Sequence, residues 1–318
     1  MLSLARAVLT ATVGLAFLAA LATTSSIARG AQGAQTRPSS STQPSAGAPA
    51  AQTKRPPPAA APAPDFPPAD FNAAASDPRA IALAMKAMEA MGGLAAWQAV
   101  PSVRFAFEVE RDGQVVARRI HWWDRFGDRH RIESTEKDGK RLVVSQTLAT
   151  HQGTASRDGV ALKGEELKTA LTEAYGRWIN DTYWLLMPFK TFDPGVKMTF
   201  EGERRLEGAT FNVFRLTFDK VGLTPGDTYW AWVNTVSQRM EVWSFHLQGT
   251  PAEQPPSVFA WEDWKEFGSI QLSMTRRPLD PPAGKPAIGI RFKDVALLGP
   301  LPDAVFDVKS PVAAPFAP

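Results

Sequence analysis

The stretch SVRFAFEVERDGQVVARRIHWWDR (Ser102–Arg125) is two alternating apolar and polar runs that meet at Asp112-Gly113. Asp-Gly supplies the positive-φ residues that a two-residue hairpin turn requires. Ser102–Arg111 and Gln114–Arg125 are therefore predicted to pair as antiparallel strands. The pattern repeats at once, with Arg129–Lys137 and Lys140–Leu148 flanking Asp138-Gly139.

Further along, Thr150–Gly159 is polar and reads as loop. Glu165–Tyr175 has helical spacing, with Leu167, Leu171 and Ala174 on one side. Next comes the densest aromatic run beyond the N-terminal leader, Asn180-Asp-Thr-Tyr-Trp-Leu-Leu-Met-Pro-Phe-Lys-Thr-Phe-Asp-Pro-Gly195. Asn180 or Asp181 can cap a short helix, Pro188 cannot continue one, and Asp193-Pro194-Gly195 is a turn signal. The run predicts a capped apolar segment that needs a surface to bury it.

Alternation then resumes at Val196–Glu201, Thr210–Asp219, Thr228–Asn234, Arg239–Gln248, Val258–Phe267, Ser269–Arg276 and Ala287–Val295. Upstream, Ser76-Asp77-Pro78 opens a helix with Ser76 as N-cap. Ile81, Met85, Met88 and Met91 lie at helical spacing, and Gly92-Gly93 stops it. Leu94–Val100 adds another turn with Trp97 on its apolar side. Sequential hairpins with two helical blocks predict an α+β fold built on an antiparallel sheet of about ten strands. A twisted sheet of that size curls, so an unclosed, strongly curved barrel with helices in its concave side is expected.

The ends of the chain differ in kind. Met1–Ala28 has a positive start, an apolar core too short to span a bilayer and a small-x-small site, the pattern of a cleaved signal peptide. Arg29–Ala75 is a Pro/Ala-rich linker by composition, 76–309 the folded domain, and Ser310–Pro318 a flexible tail. Residues 1–75 carry five basic and two acidic groups of the chain's 35 and 32, so 76–318 holds 30 of each. A formally neutral domain has no basic surplus to drive nucleic-acid binding. A periplasmic or secreted product with no membrane span after leader removal is expected.

No metal-ligand, phosphate-loop, nucleophile-elbow or dinucleotide motif is present, and there is no cysteine. No catalytic residue, metal or cofactor is assigned. Four histidines remain, His121, His130, His151 and His246. A hydrolase could use His121 with Asp124 or Asp128, or Asp181 with Asp193. On a strand, however, Asp124 points away from His121, and a plain hairpin turning at Phe126-Gly127-Asp128 explains the same residues. Asp181-Thr182-Tyr183-Trp184 recurs as Asp227-Thr228-Tyr229-Trp230, but about one such match is expected by chance in a chain of this length. The aromatics say more: Trp230 and Trp232 share one strand face, Trp243 and Phe245 share a face of the neighbouring strand, and Phe259 and Trp261 share a face of another. Amphipathic aromatics at that spacing suit an apolar groove.

Asn180–Gly195, with Gly222-Leu-Thr-Pro-Gly-Asp-Thr-Tyr-Trp230, resembles a family of uncharacterised exported bacterial proteins whose organisation is similar to the lipoprotein-carrier superfamily of LolA/LolB type. Ile290–Val295 and Pro302–Phe306 resemble the closing segment of those carriers. The resemblance implies an unclosed barrel whose concave apolar side holds acyl chains. It brings no catalytic residues, and the lipidated Cys of the receptor-type members is missing. The leading expectation is a binding or carrier protein for a lipid, acyl chain or other apolar ligand, lined or lidded by Tyr183, Trp184, Met187, Phe189, Trp230, Trp232, Trp243 and Phe245. The alternative is a non-enzymatic envelope scaffold or interaction module with an envelope protein as partner.

Overall fold

The first hairpin forms as read. In the computed structural model, which describes residues 67–68, 71–219, 222–281, 284 and 286–309, β1 (Ser102–Arg111) and β2 (Gln114–Asp124) pair antiparallel. Asp112 and Gly113 both take positive φ, 49° and 78°. The leader, most of the linker and the tail lie outside the described residues. Strands β3 (Arg129–Thr135) and β4 (Arg141–Thr147) follow. Their turn is longer, closing through Glu136 N to Lys140 O.

The polar stretch expected as loop contains β5 (Gln152–Arg157) and β6 (Val160–Ala161). These edge strands bury little beyond Ala155 and Ser156, so they show none of the usual alternation. A polar edge also resists pairing with other chains. The remaining strands are β7 (Val196–Leu206), β8 (Ala209–Phe218), β9 (Thr228–Asn234), β10 (Met240–His246), β11 (Ser257–Phe267), β12 (Ile270–Pro278) and β13 (Ile288–Leu298). All thirteen form one antiparallel sheet in the order β6-β5-β4-β3-β2-β1-β13-β12-β11-β10-β9-β8-β7. Its two edge strands, β6 and β7, do not pair with each other, so the sheet is unclosed.

Among the described residues three α-helices accompany the sheet: α1 (Pro78–Ala90), α2 (Gly93–Gln98) and α3 (Gly164–Lys190). The cap of α1 is Asp77, whose side chain accepts from Arg79 N at 2.8 Å, and not Ser76. Ser76 Oγ instead accepts from Met198 N on β7. The inward face of α1 is Ala80, Leu83, Ala84, Ala87 and Met88, while Met85 points outward. Gly92 ends the helix at φ 112°, and a Cβ there would lie 2.1 Å from Ser269 O, so only glycine fits against the β11–β12 turn. The folded part also begins before Ser76. Phe71 is buried, stacking edge-on against Phe192 at 5.1 Å, and Ala73–Ala75 form a 3-10 turn.

The two expected helical pieces are one unbroken helix, α3, running through Asn180, Asp181 and Pro188. Asp181 does not cap anything; it sits mid-helix and fully buried, engaged by side chains of β2. Pro188 has no N–H to give to the carbonyl of Trp184, four residues back. Arg276 on β12 replaces that donor. Its Nε and Nη2 both donate to Trp184 O, at 3.1 and 2.6 Å. The proline that should end the helix is thus accommodated by a buried guanidinium.

Helix α3 also reports the curvature of the sheet. Ala170 belongs to one apolar cluster with Ile132, Leu142, Val144 and Ala155 of β3–β5, while Tyr183 lies 6.4 Å from Phe218 on β8. Those two helix positions are ~20 Å apart along the axis. Strands β5 and β8 stand ten places apart in the sheet order, or ~48 Å if the sheet were flat. The sheet between those strands is therefore curved, which brings both within reach of one helix. The opposite face of β2 and β3 is covered by the C-terminal segment: Trp122 packs against Leu301 and Val305, and buried Arg131 donates to the carbonyls of Val305 and Asp307.

Candidate functional site

The C-terminal half of α3 meets an aromatic wall supplied by β8–β11. Trp184 lies 4.6 Å from Trp243, 5.6 Å from Phe245 and 5.2 Å from Phe259. Tyr183 contacts Phe218, Tyr229 and Trp243 at 5.8–6.4 Å. Trp243 in turn touches Trp261, over whose ring Arg276 lies at 3.5 Å. Leu185, Leu186 and Met187, next along the helix, are fully buried. Tyr183, Phe218 and Tyr229 are half-buried and form the rim.

Of the eight expected lining residues, four come together: Tyr183, Trp184, Trp243 and Phe245. Met187 is part of the same half-helix. Phe189 faces elsewhere, stacked on Trp97 of α2 at 5.3 Å. Trp230 and Trp232 are on the other side of the sheet. The β9–β10 register sets Ala231 opposite Trp243 and Tyr229 opposite Phe245, so in β9 it is Tyr229, Ala231 and Val233 that face the helix. Trp230 and Trp232 instead roof a small outer cluster with Phe211, Val213 and Val242, and Trp232 Nε1 donates to Ser244 Oγ. Phe259 and Trp261, read as sharing a strand face but not among the eight, join the wall, and Phe218 and Tyr229 are the members missed. β9 is apolar on both faces, so alternation alone could not orient it.

The wall holds polar atoms that its rings do not satisfy. Tyr183 Oη, Trp243 Nε1 and Trp261 Nε1 are buried without a hydrogen-bond partner among the described residues. Burial pushes the Tyr183 phenol well above its ordinary range, so it stays a neutral donor. Tyr229 differs, because its hydroxyl donates to Asp227 Oδ2 at 2.7 Å. Buried Asp227 also accepts from Thr224 Oγ1 and Gln248 N. It thereby ties the β8–β9 and β10–β11 loops together beside the rim.

A second buried group fastens α3 half a turn away. Asp181 receives Arg119 in a two-pronged bond, Nε to Oδ2 at 2.7 Å and Nη2 to Oδ1 at 2.8 Å, and Asn180 Nδ2 at 2.8 Å. His121 Nε2 lies 2.9 Å from Asp181 Oδ2, and His121 Nδ1 lies 3.0 Å from His130 Nε2. Both imidazoles are completely buried, and Phe105 stacks on His121 at 4.5 Å. Burial alone would raise the Asp181 pKa. The Arg119 charge and the hydrogen bonds from His121 and Arg119 outweigh that and hold the carboxyl well below the carboxylate range. For His121 burial wins, and its pKa falls below the ordinary value. His130 is lowered further by burial and by its neighbour's charge.

This arrangement corrects the hydrolase pairings. Asp124 is bound by Arg129 and by Gly127 N, and Asp128 caps Ala149 N, so neither serves His121. Asp193 pairs with Lys190 and not with Asp181. Both ring nitrogens of His121 are occupied inside the protein, which leaves no face for a substrate proton.

No protein-family model matches the sequence, and neither does any curated protein. Among solved structures the chain is similar to a DUF1329 family protein from Desulfovibrio piger, at 10% identity over 72% of this chain and 97% of that one, TM-score 0.43. A LolA superfamily protein from Nitrosomonas europaea matches at 14% identity over 72% and 97%, TM-score 0.41. The lipoprotein LppX of Mycobacterium tuberculosis matches at 11% over 69% and 96%, TM-score 0.27. At these identities and scores, function has to be argued from this chain's own residues.

Proposed function

We propose that the protein is an exported, non-enzymatic binding or carrier protein for an acyl-chain amphiphile, held between the C-terminal half of α3 and β8–β11. The supporting observation is the aromatic wall itself, apolar throughout yet carrying the unpartnered donors Tyr183 Oη and Trp243 Nε1. Two donors on rings whose centroids lie 6.0 Å apart complement a molecule that is mostly hydrocarbon with an acceptor oxygen, such as an ester carbonyl. Trp184 and Met187 are buried, so a ligand enters as α3 gives way. Each buried CH₂ contributes ~0.8 kcal/mol, enough for a long chain to bind with few polar contacts.

Protein exported to the periplasm of a bacterial host and examined by native mass spectrometry should carry a lipid-sized adduct. Dansyl-labelled undecanoic acid should bind and quench the tryptophans at the wall. A clean apo mass together with no fluorescence response would refute the proposal.

A further inference from the structure

The binding reading makes no use of the buried His121–His130 pair. We propose that this pair, with Asp181 and Arg119, is a proton-operated latch on α3: it holds the helix docked at neutral pH and releases it on mild acidification. The reach of such a latch follows from position. Asp181 is within one helical turn of Tyr183 and Trp184, so what fixes Asp181 also fixes the helix side of the aromatic wall. Because release would expose that wall, the functional consequence rests on the binding reading; the latch itself does not.

One tautomer assignment links the neutral chain. The Asp181 carboxylate accepts, so His121 Nε2–H donates to it and Nδ1 is left as an acceptor. His130 Nε2–H donates to that nitrogen, which leaves His130 Nδ1 facing the Gln146 side-chain amide at 3.3 Å. A further proton finds no charged partner. On His121 Nδ1 it would meet the N–H of His130 across a 3.0 Å contact. On His130 Nδ1 it creates a fully buried cation whose one new partner is the neutral Gln146 amide, which turns its oxygen to the ring when its nitrogen donates to Leu171 O, and a neutral acceptor does not offset the cost of burying a charge.

Among the described residues the surroundings offer no spare anion. Facing the pair are Phe105 from β1, Arg119 from β2, Gln146 from β4, and Arg177, Trp178 and Asp181 from α3. The Asp181 charge is matched by Arg119, and Glu173, the acid on the same helix, is engaged by Arg177 at 3.0 Å. Two added protons therefore make a site that is neutral into one that is doubly positive, in a dry interior.

The sign follows from linkage. Both histidines have lower pKa values docked than free, where the reference is about 6.5. The undocked helix therefore binds protons that the docked one refuses, and docking weakens as pH falls below about 6.5. Each histidine contributes up to about tenfold in the docking equilibrium per pH unit, and the pair up to about a hundredfold.

Hydrogen exchange on the ligand-free protein tests this without any lipid. After correction for intrinsic exchange rates, the opening constant of amides 178–187 should rise at least about tenfold per unit between about pH 6.5 and 5, and that of the β7–β8 hairpin should not. His130→Gln should cut that slope by up to about tenfold per unit. If that variant fails to fold, the imidazole NMR signals of the unaltered protein provide the check: both should stay neutral until residues 178–187 open. A pH-independent opening constant, or direct titration of both rings in the docked state, overturns the latch. pH-dependent opening with no binding of dansyl-labelled undecanoic acid supports the latch and counts against the carrier role. Probe binding without pH-dependent opening does the reverse.

Discussion

The pairing of Arg276 with Trp184 O shows how one residue can license another far away in sequence. A proline inside a helix costs ~3 kcal/mol or more, partly because the carbonyl four residues back loses its donor. Here that carbonyl receives two charge-assisted N–H groups. The explanation has a quantitative test. Arg276→Met should be strongly destabilising in urea melts, and much less so once Pro188→Ala restores the helical N–H. The two substitutions should couple by about 0.5–3 kcal/mol; additive effects would show that the guanidinium is not standing in for the missing bond. Neither Asp181 as a buried anchor nor Pro188 as a helical residue could be read locally. Asp181 is held by Arg119, 62 residues away, and Pro188 depends on Arg276, whose bond to the helix spans 92 residues. Local rules for caps and breakers assume that no such partner arrives.

At the level of elements, legibility depended on how one-sided each strand is. β1 and β2 carry an Asp-Gly turn with both residues left-handed, a wholly local signal, and were placed to within a residue. β9 carries Tyr229, Trp230, Ala231, Trp232 and Val233, apolar on either parity, and its orientation came only from pairing with β10. The consequence for binding is a sharp contrast between faces. Trp232→Ala should leave the affinity for dansyl-labelled undecanoic acid within about twofold, because it thins only the outer cluster. Tyr183→Phe should weaken it about five- to tenfold, the value of one hydrogen bond of ~1 kcal/mol. Titrations of the two variants side by side decide the matter, and equal effects would place the ligand elsewhere.

For the molecule as a whole, composition and hairpin spacing were enough for an antiparallel, curled, unclosed sheet of about ten strands. They missed the two polar edge strands, whose exposure removes the pattern. They also missed the connection that organises the sheet: α3 leaves β6 at one edge and enters β7 at the other. Between those edges the sheet is two meanders joined through β13. Among the described residues, β13 matches β1 in nine register pairs but β12 in only two, Thr275 with Arg291 and Arg276 with Ile290. Amides along the β12–β13 junction should therefore exchange well before those between β1 and β13, and mass-resolved exchange at peptide level would detect it. Equal protection on both sides would show that the junction is held by something other than its ladder.

That thin junction and the helix clamp share a residue. Arg276 contributes one of the two backbone pairs joining the meanders, and its side chain is the one that grips α3. Parting the two halves of the sheet therefore pulls on the helix, and moving the helix strips the junction of a brace. The molecule is built like a clasp with its pin through the hinge: neither half swings without the catch being felt.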